Sequence, residues 1–368
     1  MDRSRRFVPS RVVAGLALAL LPGVGWAEDT CRLDPCPRVV AVGDVHGAYD
    51  NFVEVLGMAG LVDDKARWSG GKSCFVQTGD LLDRGPDTRR VLDLMMRLEK
   101  EAKDAGGRVI ALLGNHEVMN ILGDLRYVNP EEYEAFRTPR SAEMREQLWQ
   151  SVLRRQRESA RAAGEDLDED AVRDRFESEA PLGFVERTQA LSAQGEYGRW
   201  LRGRSAVARV GDVVFLHGGL SPEIAELGCR EINDRVRREL TDGFAETRQD
   251  PLATLAGGET GPLWYRGLAR EDEAAFAPAL ERILEAMDAA VVVVGHTTTK
   301  TGRIQHRFGG RVVMIDAGMS PPYGGNLAAL EVGEDGEMVA LYPDGRERID
   351  TPAAAPAPAE REPASARP

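Results

Sequence analysis

Short runs of apolar residues recur along the chain, and each stops at glycine and a polar side chain. Val39-Val40-Ala41-Val42 runs into Gly43-Asp44-Val45-His46-Gly47, and Cys74-Phe75-Val76-Gln77-Thr78 into Gly79-Asp80-Leu81-Leu82-Asp83-Arg84-Gly85. Val109-Ile110-Ala111-Leu112-Leu113 runs into Gly114-Asn115-His116-Glu117, Val213-Val214-Phe215-Leu216 into His217-Gly218-Gly219, and Val291-Val292-Val293-Val294 into Gly295-His296. Runs of this length and composition read as buried strands. Between them the period changes. Phe52, Val55, Leu56 and Ala59 within residues 48–61 recur at helical spacing, as do Val91, Leu94, Met95 and Leu98 within residues 87–105, where Gly106-Gly107 is a natural stop. The alternation over residues 38–115 predicts right-handed βαβ units and a mixed or parallel sheet.

Residues 120–205 break this rhythm. They are rich in Arg, Glu, Asp and Ala, and Leu148, Val152, Val172 and Phe176 give weak helical faces. The segment reads as a mostly helical insertion, either a solvated excursion or a cap controlling entry to a site. Residues 229–290 read as helical around a loop at residues 255–262. Arg311-Val312-Val313-Met314-Ile315 reads as a further strand, and residues 328–332 with 337–341 as a closing hairpin. From about Asp350 the chain turns to Pro, Ala and Glu, so residues 350–368 are expected to be a disordered tail. There is no internal repeat.

Composition changes this picture mainly at the N-terminus. Arg3, Arg5 and Arg6 precede the apolar stretch from Val12 to Leu21, and Gly25-Trp26-Ala27 places small residues after it. Residues 1–27 therefore read as an export signal, too short in its apolar part to span a bilayer comfortably. The expectation is an exported protein, periplasmic or secreted, with no stable membrane insertion after cleavage. The formal charge is −13, and without the net +3 of residues 1–27 it is −16. Such an acidic chain is expected not to bind nucleic acid, although local arginines and metals can still receive an anion. The four cysteines suit an oxidising compartment and allow three pairings. Cys31 and Cys36 are near enough in sequence to bridge, while Cys74 and Cys229 read equally well as buried thiols.

Four of the five histidines, His46, His116, His217 and His296, directly follow apolar runs, alongside Asp44, Asp80 and Asn115. His306 lies outside any such pattern and reads as surface. Imidazole and carboxylate are the ligands that first-row divalent metals take, and the set is rich enough for two ions sharing one carboxylate. The five motifs occur in the order found in the calcineurin-like metallophosphoesterases. The chain resembles that superfamily over roughly residues 38–330, and within it the phosphoprotein phosphatase family. Asn115-His116-Glu117-Val118-Met119-Asn120, the following Gly123-Asp124-Leu125-Arg126-Tyr127, and Leu263-Trp264-Tyr265-Arg266-Gly267 resemble the Shewanella-like phosphatase branch.

The resemblance implies an α/β sandwich of two mixed sheets flanked by helices, over residues 38–345, with the site at strand C-terminal ends. It implies that Asp44 and His46 hold one metal, that Asp80 bridges to a second, and that Asn115, His217 and His296 complete the second. Two such ions, Mn, Fe, Zn or Mg, would deprotonate a shared water that attacks phosphorus directly. His116 would be the general acid, oriented by Asp83, a role suited to an imidazole paired with a carboxylate. Arg84, Arg266 and Asn115 would contact the substrate phosphate, Arg84 by forking onto its oxygens. The implied activity is a phosphomonoesterase acting on phosphoprotein, phosphopeptide or a small phosphoester, at Ser/Thr or Tyr. Two other readings are kept: a diadenosine tetraphosphate-like nucleoside polyphosphate hydrolase, and a metal-stabilised binding module whose catalysis has lapsed. The chain departs from the eukaryotic protein phosphatases at Trp264-Tyr265-Arg266, where they carry Trp-Ser-Asp, and at Gly324, where their Tyr-Cys-Gly loop has its cysteine.

Overall fold

The structure, a computed structural model, describes residues 30–351. The expected export signal lies outside the described residues, as does the tail from residue 352. The chain divides into two compact units, residues 136–187 and the remainder.

In the larger unit, β1 (Arg38–Val42), α1 (Tyr49–Met58), β2 (Cys74–Gln77), α2 (Thr88–Asp104), β3 (Arg108–Ala111) and α3 (Asn115–Leu122) follow the strand and helix alternation. The smaller unit contains α4 (Ser141–Ala163), α5 (Glu169–Glu179) and the start of α6 (Phe184–Leu191). Its helices close on Trp149, Leu153, Phe176 and Ala180, with Leu148, Val152 and Val172 packed around them. The larger unit resumes with α7 (Glu196–Arg202), β4 (Val207–Val210), β5 (Val213–Leu216), α8 (Pro222–Ala225), α9 (Gly228–Leu240), α10 (Phe244–Gln249), α11 (Gly267–Arg270) and α12 (Glu273–Met287). It ends with β6 (Val291–Val294), β7 (Gln305–Arg307), β8 (Val312–Met314), β9 (Ala329–Gly333), β10 (Met338–Tyr342) and β11 (Gly345–Ile349).

Two mixed sheets result, flanked by helices. One has the order β11-β10-β9-β1-β2-β3, the other β4-β5-β6-β8-β7. In the first, β1, β2 and β3 are parallel and β9 is antiparallel to β1; in the second, β5, β6 and β8 are parallel and β4 and β7 are antiparallel. Successive side chains of a strand face opposite ways. Accordingly Val39 and Ala41, Cys74 and Val76, Ile110 and Leu112 from one sheet meet Val213 and Phe215, Val291 and Val293, Val313 and Ile315 from the other. The alternate face turns to the helices, where Phe75 packs on Phe52 of α1 with ring centroids 6.2 Å apart. The motif-bearing strands are divided between the two mixed sheets that the resemblance implied, and the parallel strands of both end on a common rim. Antiparallel strands β4, β7 and β11 were not expected.

The cysteines pair as Cys31–Cys229 and Cys36–Cys74, with Cα separations of 5.7 and 5.9 Å. The first ties the segment before β1 to α9, the second to the start of β2. A Cys31–Cys36 bridge does not form, and neither Cys74 nor Cys229 is a free thiol. Among the described residues no helix is long and apolar enough to cross a membrane.

Candidate active site

Each sequence-predicted ligand lies just past a parallel strand. Asp44 and His46 follow β1, Asp80 follows β2, Asn115 and His116 open α3 after β3, His217 follows β5 and His296 follows β6. All seven are buried. The loops that carry them are packed backbone to backbone. A Cβ on Gly43 would lie 2.6 Å from the Ile315 carbonyl oxygen, and one on Gly114 would lie 2.2 Å from Asp80 Oδ1. Larger residues there would push the carboxylates out of place.

The loops are also strained. His46, Asp80, Asp83, Arg84 and His296 all have φ between 49° and 69°, a left-handed conformation that non-glycine residues seldom adopt. Glu117 secures one of these loops. Its Oε2 accepts the N–H of Asp80 and of Gly114, each at 2.7 Å, and its Oε1 accepts those of Leu81 at 2.8 Å and Leu82 at 3.3 Å. Burial, then Asp80, pushes its carboxyl up to about 7, while the N–H groups hold against that rise. Four donors converging on two oxygens are the partners of a carboxylate.

The imidazoles are oriented from behind. His46 Nδ1 donates to the Leu82 carbonyl at 3.0 Å, and His217 Nδ1 to the Thr78 carbonyl at 2.9 Å. The His296 ring bonds the Trp264 carbonyl. Each arrangement leaves an Nε2 lone pair for the pocket. Asp44 and Asp80 behave likewise. Asp44 Oδ1 accepts the His296 N–H and Asp80 Oδ1 the His116 N–H, both at 3.0 Å, and each Oδ2 faces the histidines. Asp80 Oδ2 lies 3.2 Å from His217 Nε2, 3.6 Å from His46 Nε2 and 3.9 Å from His116 Nε2. Asp44 Oδ2 lies 3.9 Å from His46 Nε2, and Asn115 Oδ1 lies 2.9 Å from His217 Nε2.

Two clusters able to hold a cation therefore meet at one carboxylate. His46, Asp80 and His116 form one, Asp80, His217 and His296 the other, with ligand atoms within 4.8 Å of one another in each. His296 Nε2 is buried without a hydrogen-bond partner. Burial, then His217 and Arg266, pushes that imidazole down to about 2, so it is neutral and its lone pair is open. Burial, then Asp316 and Asp80, raises Asp44 well above the usual carboxylate range. Burial also acts to raise Asp80, but His217, His116 and His46 outweigh it and hold that carboxyl well below. Buried carboxylates and lone-pair imidazoles crowded together, one nitrogen without any partner, are chemically the donor set of divalent cations.

His116 of the first cluster is also tied into a dyad through its other nitrogen. His116 Nδ1 bonds Asp83 Oδ2 at 2.6 Å, and Asn120 Nδ2 donates to Asp83 Oδ1 and to the His116 carbonyl, both at 2.9 Å. Burial lowers the imidazole pKa, but Asp80 and Asp83 outweigh it and the net shift is upward. The remaining Nε2 faces the pocket. That cavity, about 150 Å³, is lined by Asp44, His46, Asp80, Arg84, Asn115 and His116, and further by Tyr127, Trp264, Arg266, His296, Thr298 and Tyr323. Arg84 reaches it with a buried Nε that has no partner. Arg266 is differently engaged: its NH1 donates to the His296 carbonyl at 2.6 Å and to Thr297 Oγ1 at 2.9 Å, so it braces the His296 loop as well as bordering the cavity.

Sequence reasoning missed Asp316, Tyr127 and Tyr323. Asp316 is buried just past β8, accepts Thr298 Oγ1 at 2.6 Å and the Gly318 N–H at 3.0 Å, and adjoins Asp44. The signal was present, because the run at residues 311–315 ends in Asp316 as the others end in Asp or His. The tyrosines flank Arg84, whose guanidinium carbon lies 3.8 Å from the Tyr127 ring centroid and 5.8 Å from that of Tyr323. His306 is exposed, away from this cluster.

Residues 37–299 match the calcineurin-like phosphoesterase family model. Shewanella-like protein phosphatase 2 of Arabidopsis thaliana is 33% identical over 299 residues, covering 78% of this chain and 73% of that one. The crystal structure of a cold-active protein-tyrosine phosphatase from a psychrophilic Shewanella is 27% identical with a TM-score of 0.64, covering 90% of this chain and 87% of that one. A shorter match, 35% over 77 residues, joins 21% of this chain to 22% of a symmetrical bis(5'-nucleosyl)-tetraphosphatase of Escherichia coli.

Proposed function

The chain belongs to the calcineurin-like phosphoesterases and is a phosphatase of the Shewanella-like kind, and from that premise we propose that it is a two-metal phosphomonoesterase acting on phosphorylated proteins or peptides. The observation that carries this reading is Asp80 standing in both ligand clusters, with His116 of the first cluster held by Asp83 as a proton donor rather than counted as a ligand. Asp44 and His46 would join Asp80 around one cation, and Asn115, His217 and His296 would join it around the other. Bound there, divalent cations supply Lewis acidity toward phosphoryl oxygens and acidify water.

The chain's own residues do the rest. Arg84 and Asn115 hold the phosphoryl oxygens, and Arg266 adds positive charge while fixing His296. The carboxylate of Asp83 keeps the proton on His116 Nδ1 and favours the imidazolium, so Nε2 can deliver a proton to the departing oxygen. Asn120 holds Asp83 in that orientation. No covalent enzyme intermediate is required, and among the described residues no serine or cysteine lines the cavity.

Among phosphopeptides, phosphotyrosine is favoured by the rings around the pocket. Tyr323 stacks on His46 with centroids 5.4 Å apart, and Tyr127 lies 5.2 Å from His116, giving a planar leaving group aromatic walls on both sides of Arg84. The similarity to a protein-tyrosine phosphatase structure supports the same choice. A second reading, nucleoside polyphosphate hydrolysis, is favoured only by the short match to the tetraphosphatase. The intact dyad and phosphate-facing arginine speak against a lapsed binding module, which has no use for a proton donor. Export is proposed on the basic and apolar N-terminal pattern, and the two disulfides suit an oxidising compartment.

One panel tests the assignment. The enzyme is offered phosphoserine, phosphothreonine and phosphotyrosine peptides beside diadenosine tetraphosphate, with metal content measured on the same sample. The proposal expects peptide hydrolysis, fastest for phosphotyrosine. Cleavage of the dinucleotide alone would overturn it.

A further inference from the structure

The turn that carries Arg84 needs outside support. Asp83 and Arg84 are consecutive, neither is glycine, and both sit in the left-handed region at φ 69° and 67°. Two such residues in a row persist only where the surroundings dictate them. Asp83 is fixed by its carboxylate partners. Arg84 is fixed by the segment at residues 127–129, whose Tyr127 also borders the cavity. Its backbone N–H donates to the Tyr127 carbonyl at 2.9 Å, and its carbonyl accepts Asn129 Nδ2 at 2.9 Å. Its guanidinium carbon lies over the Tyr127 ring, 3.8 Å from the centroid. Backbone donor, backbone acceptor and side-chain face are thus each held by residues 127–129.

That segment is itself well anchored. Gly123 ends α3 at φ 87°, and the Asp124 N–H donates back to the Met119 carbonyl at 2.8 Å. Asn129 Oδ1 accepts the Glu131 N–H at 2.9 Å, so one side chain bridges the turn to the segment that follows. The neighbouring Arg126 is paired with Asp124 and does not line the cavity. The Arg84 Nε, buried and without a partner, remains directed at the cavity.

We propose that Tyr127 and Asn129 are positioning residues that hold Arg84 in its phosphate-binding pose, and that their effect on phosphate binding runs through that arginine. The proposal rests on Arg84 contacting the substrate phosphate. Positioning of this kind is a binding effect confined to one side chain, so it vanishes when that side chain is removed.

The test uses the full metal-loaded chain and inorganic phosphate as a competitive inhibitor of phosphotyrosine peptide hydrolysis. Arg84→Ala is expected to raise the phosphate Ki at least tenfold. Tyr127→Leu, which removes the ring and keeps the carbonyl, and Asn129→Ala are each expected to raise it about threefold to tenfold with metal content unchanged. Tyr127→Phe, which keeps the face, is expected to stay within about twofold of wild type. In the Arg84→Ala background, Tyr127→Leu and Asn129→Ala should add less than about twofold. Full additivity in that background, or wild-type Ki in both single variants, overturns the positioning role while leaving Arg84 as the clamp. Wild-type Ki in Arg84→Ala overturns the clamp and the proposal together, yet leaves the phosphatase reading standing if turnover persists. Asn129→Ala carries the comparison alone should Tyr127→Leu fail to fold.

Discussion

Replacing Glu117 by Gln is the substitution that exposes most of how the site is built. The change is nearly isosteric, yet it replaces one of two acceptor oxygens by an NH2 group. As built, Oε2 takes two N–H groups at 2.7 Å and Oε1 takes two at 2.8 and 3.3 Å. Either orientation of the amide sets donors against donors and forfeits two bonds to a charged acceptor. Hydrogen bonds to a charged group contribute about 1.5–3 kcal/mol each, so the loss is roughly 3–6 kcal/mol. With roughly 2.1 cal/mol/K of unfolding entropy per residue, a chain of 368 residues shifts its midpoint by about 1.3 °C per kcal/mol, which converts that loss to a fall of roughly 4–8 °C. Thermal unfolding followed by circular dichroism in excess chelator reads the protein part alone, and metal content of the purified variant reads the loop carrying Asp80. Both should fall. A midpoint within 2 °C of wild type with full metal content would refute the reasoning, because it would mean that the loop does not depend on an ionised Glu117.

His116→Ala is expected to lower kcat by about 10²–10⁴ while metal content stays at the wild-type level, and unchanged kcat in steady-state assays would remove His116 as the proton donor. Asp83→Asn should produce a comparable fall in kcat, because the amide no longer fixes the imidazole tautomer. Chelation should abolish turnover, and His296→Ala should reduce metal content by roughly the share of one site, since its Nε2 has no protein partner to lose. The Cys36–Cys74 bridge closes a separation of 38 residues. Removing it by a paired Ser substitution should cost about 4 kcal/mol in the chain-entropy picture, read as a lower unfolding midpoint with the initial rate unchanged.

The chain announces its strands and ligands because both obey a local rule. A buried parallel strand is a run of β-branched residues, and a side chain at its end is mounted on a rigid support. Asp44, His46, Asp80, Asn115, His217 and His296 could all be found this way. Asp316 obeys the same rule after β8 and was passed over because no histidine or flanking motif drew attention to it. What stayed hidden depends on neighbours far away in sequence. The left-handed conformation of Asp83 is held by His116 and Asn120 and that of Arg84 by Tyr127 and Asn129, all more than 30 residues downstream, and no local propensity predicts either. Pairing of Cys31 with Cys229 depends on α9 lying beside the start of the chain. Strand β11, Gly345–Ile349, is mostly charged and exposed, a composition that protects a sheet edge and conceals it from hydrophobic pattern reading. Division of the strands between two sheets came from the family resemblance rather than from the runs themselves, since each run reads the same whichever sheet it joins.

The central claim is that Asp80 is shared by two cations. Anomalous diffraction from crystals of the manganese-loaded protein tests it most directly. The account predicts two peaks about 3.5–4 Å apart, one beside Asp44 and His46, the other beside Asn115, His217 and His296, with the Asp80 carboxylate between them. A single peak, or two that do not share Asp80, would contradict it.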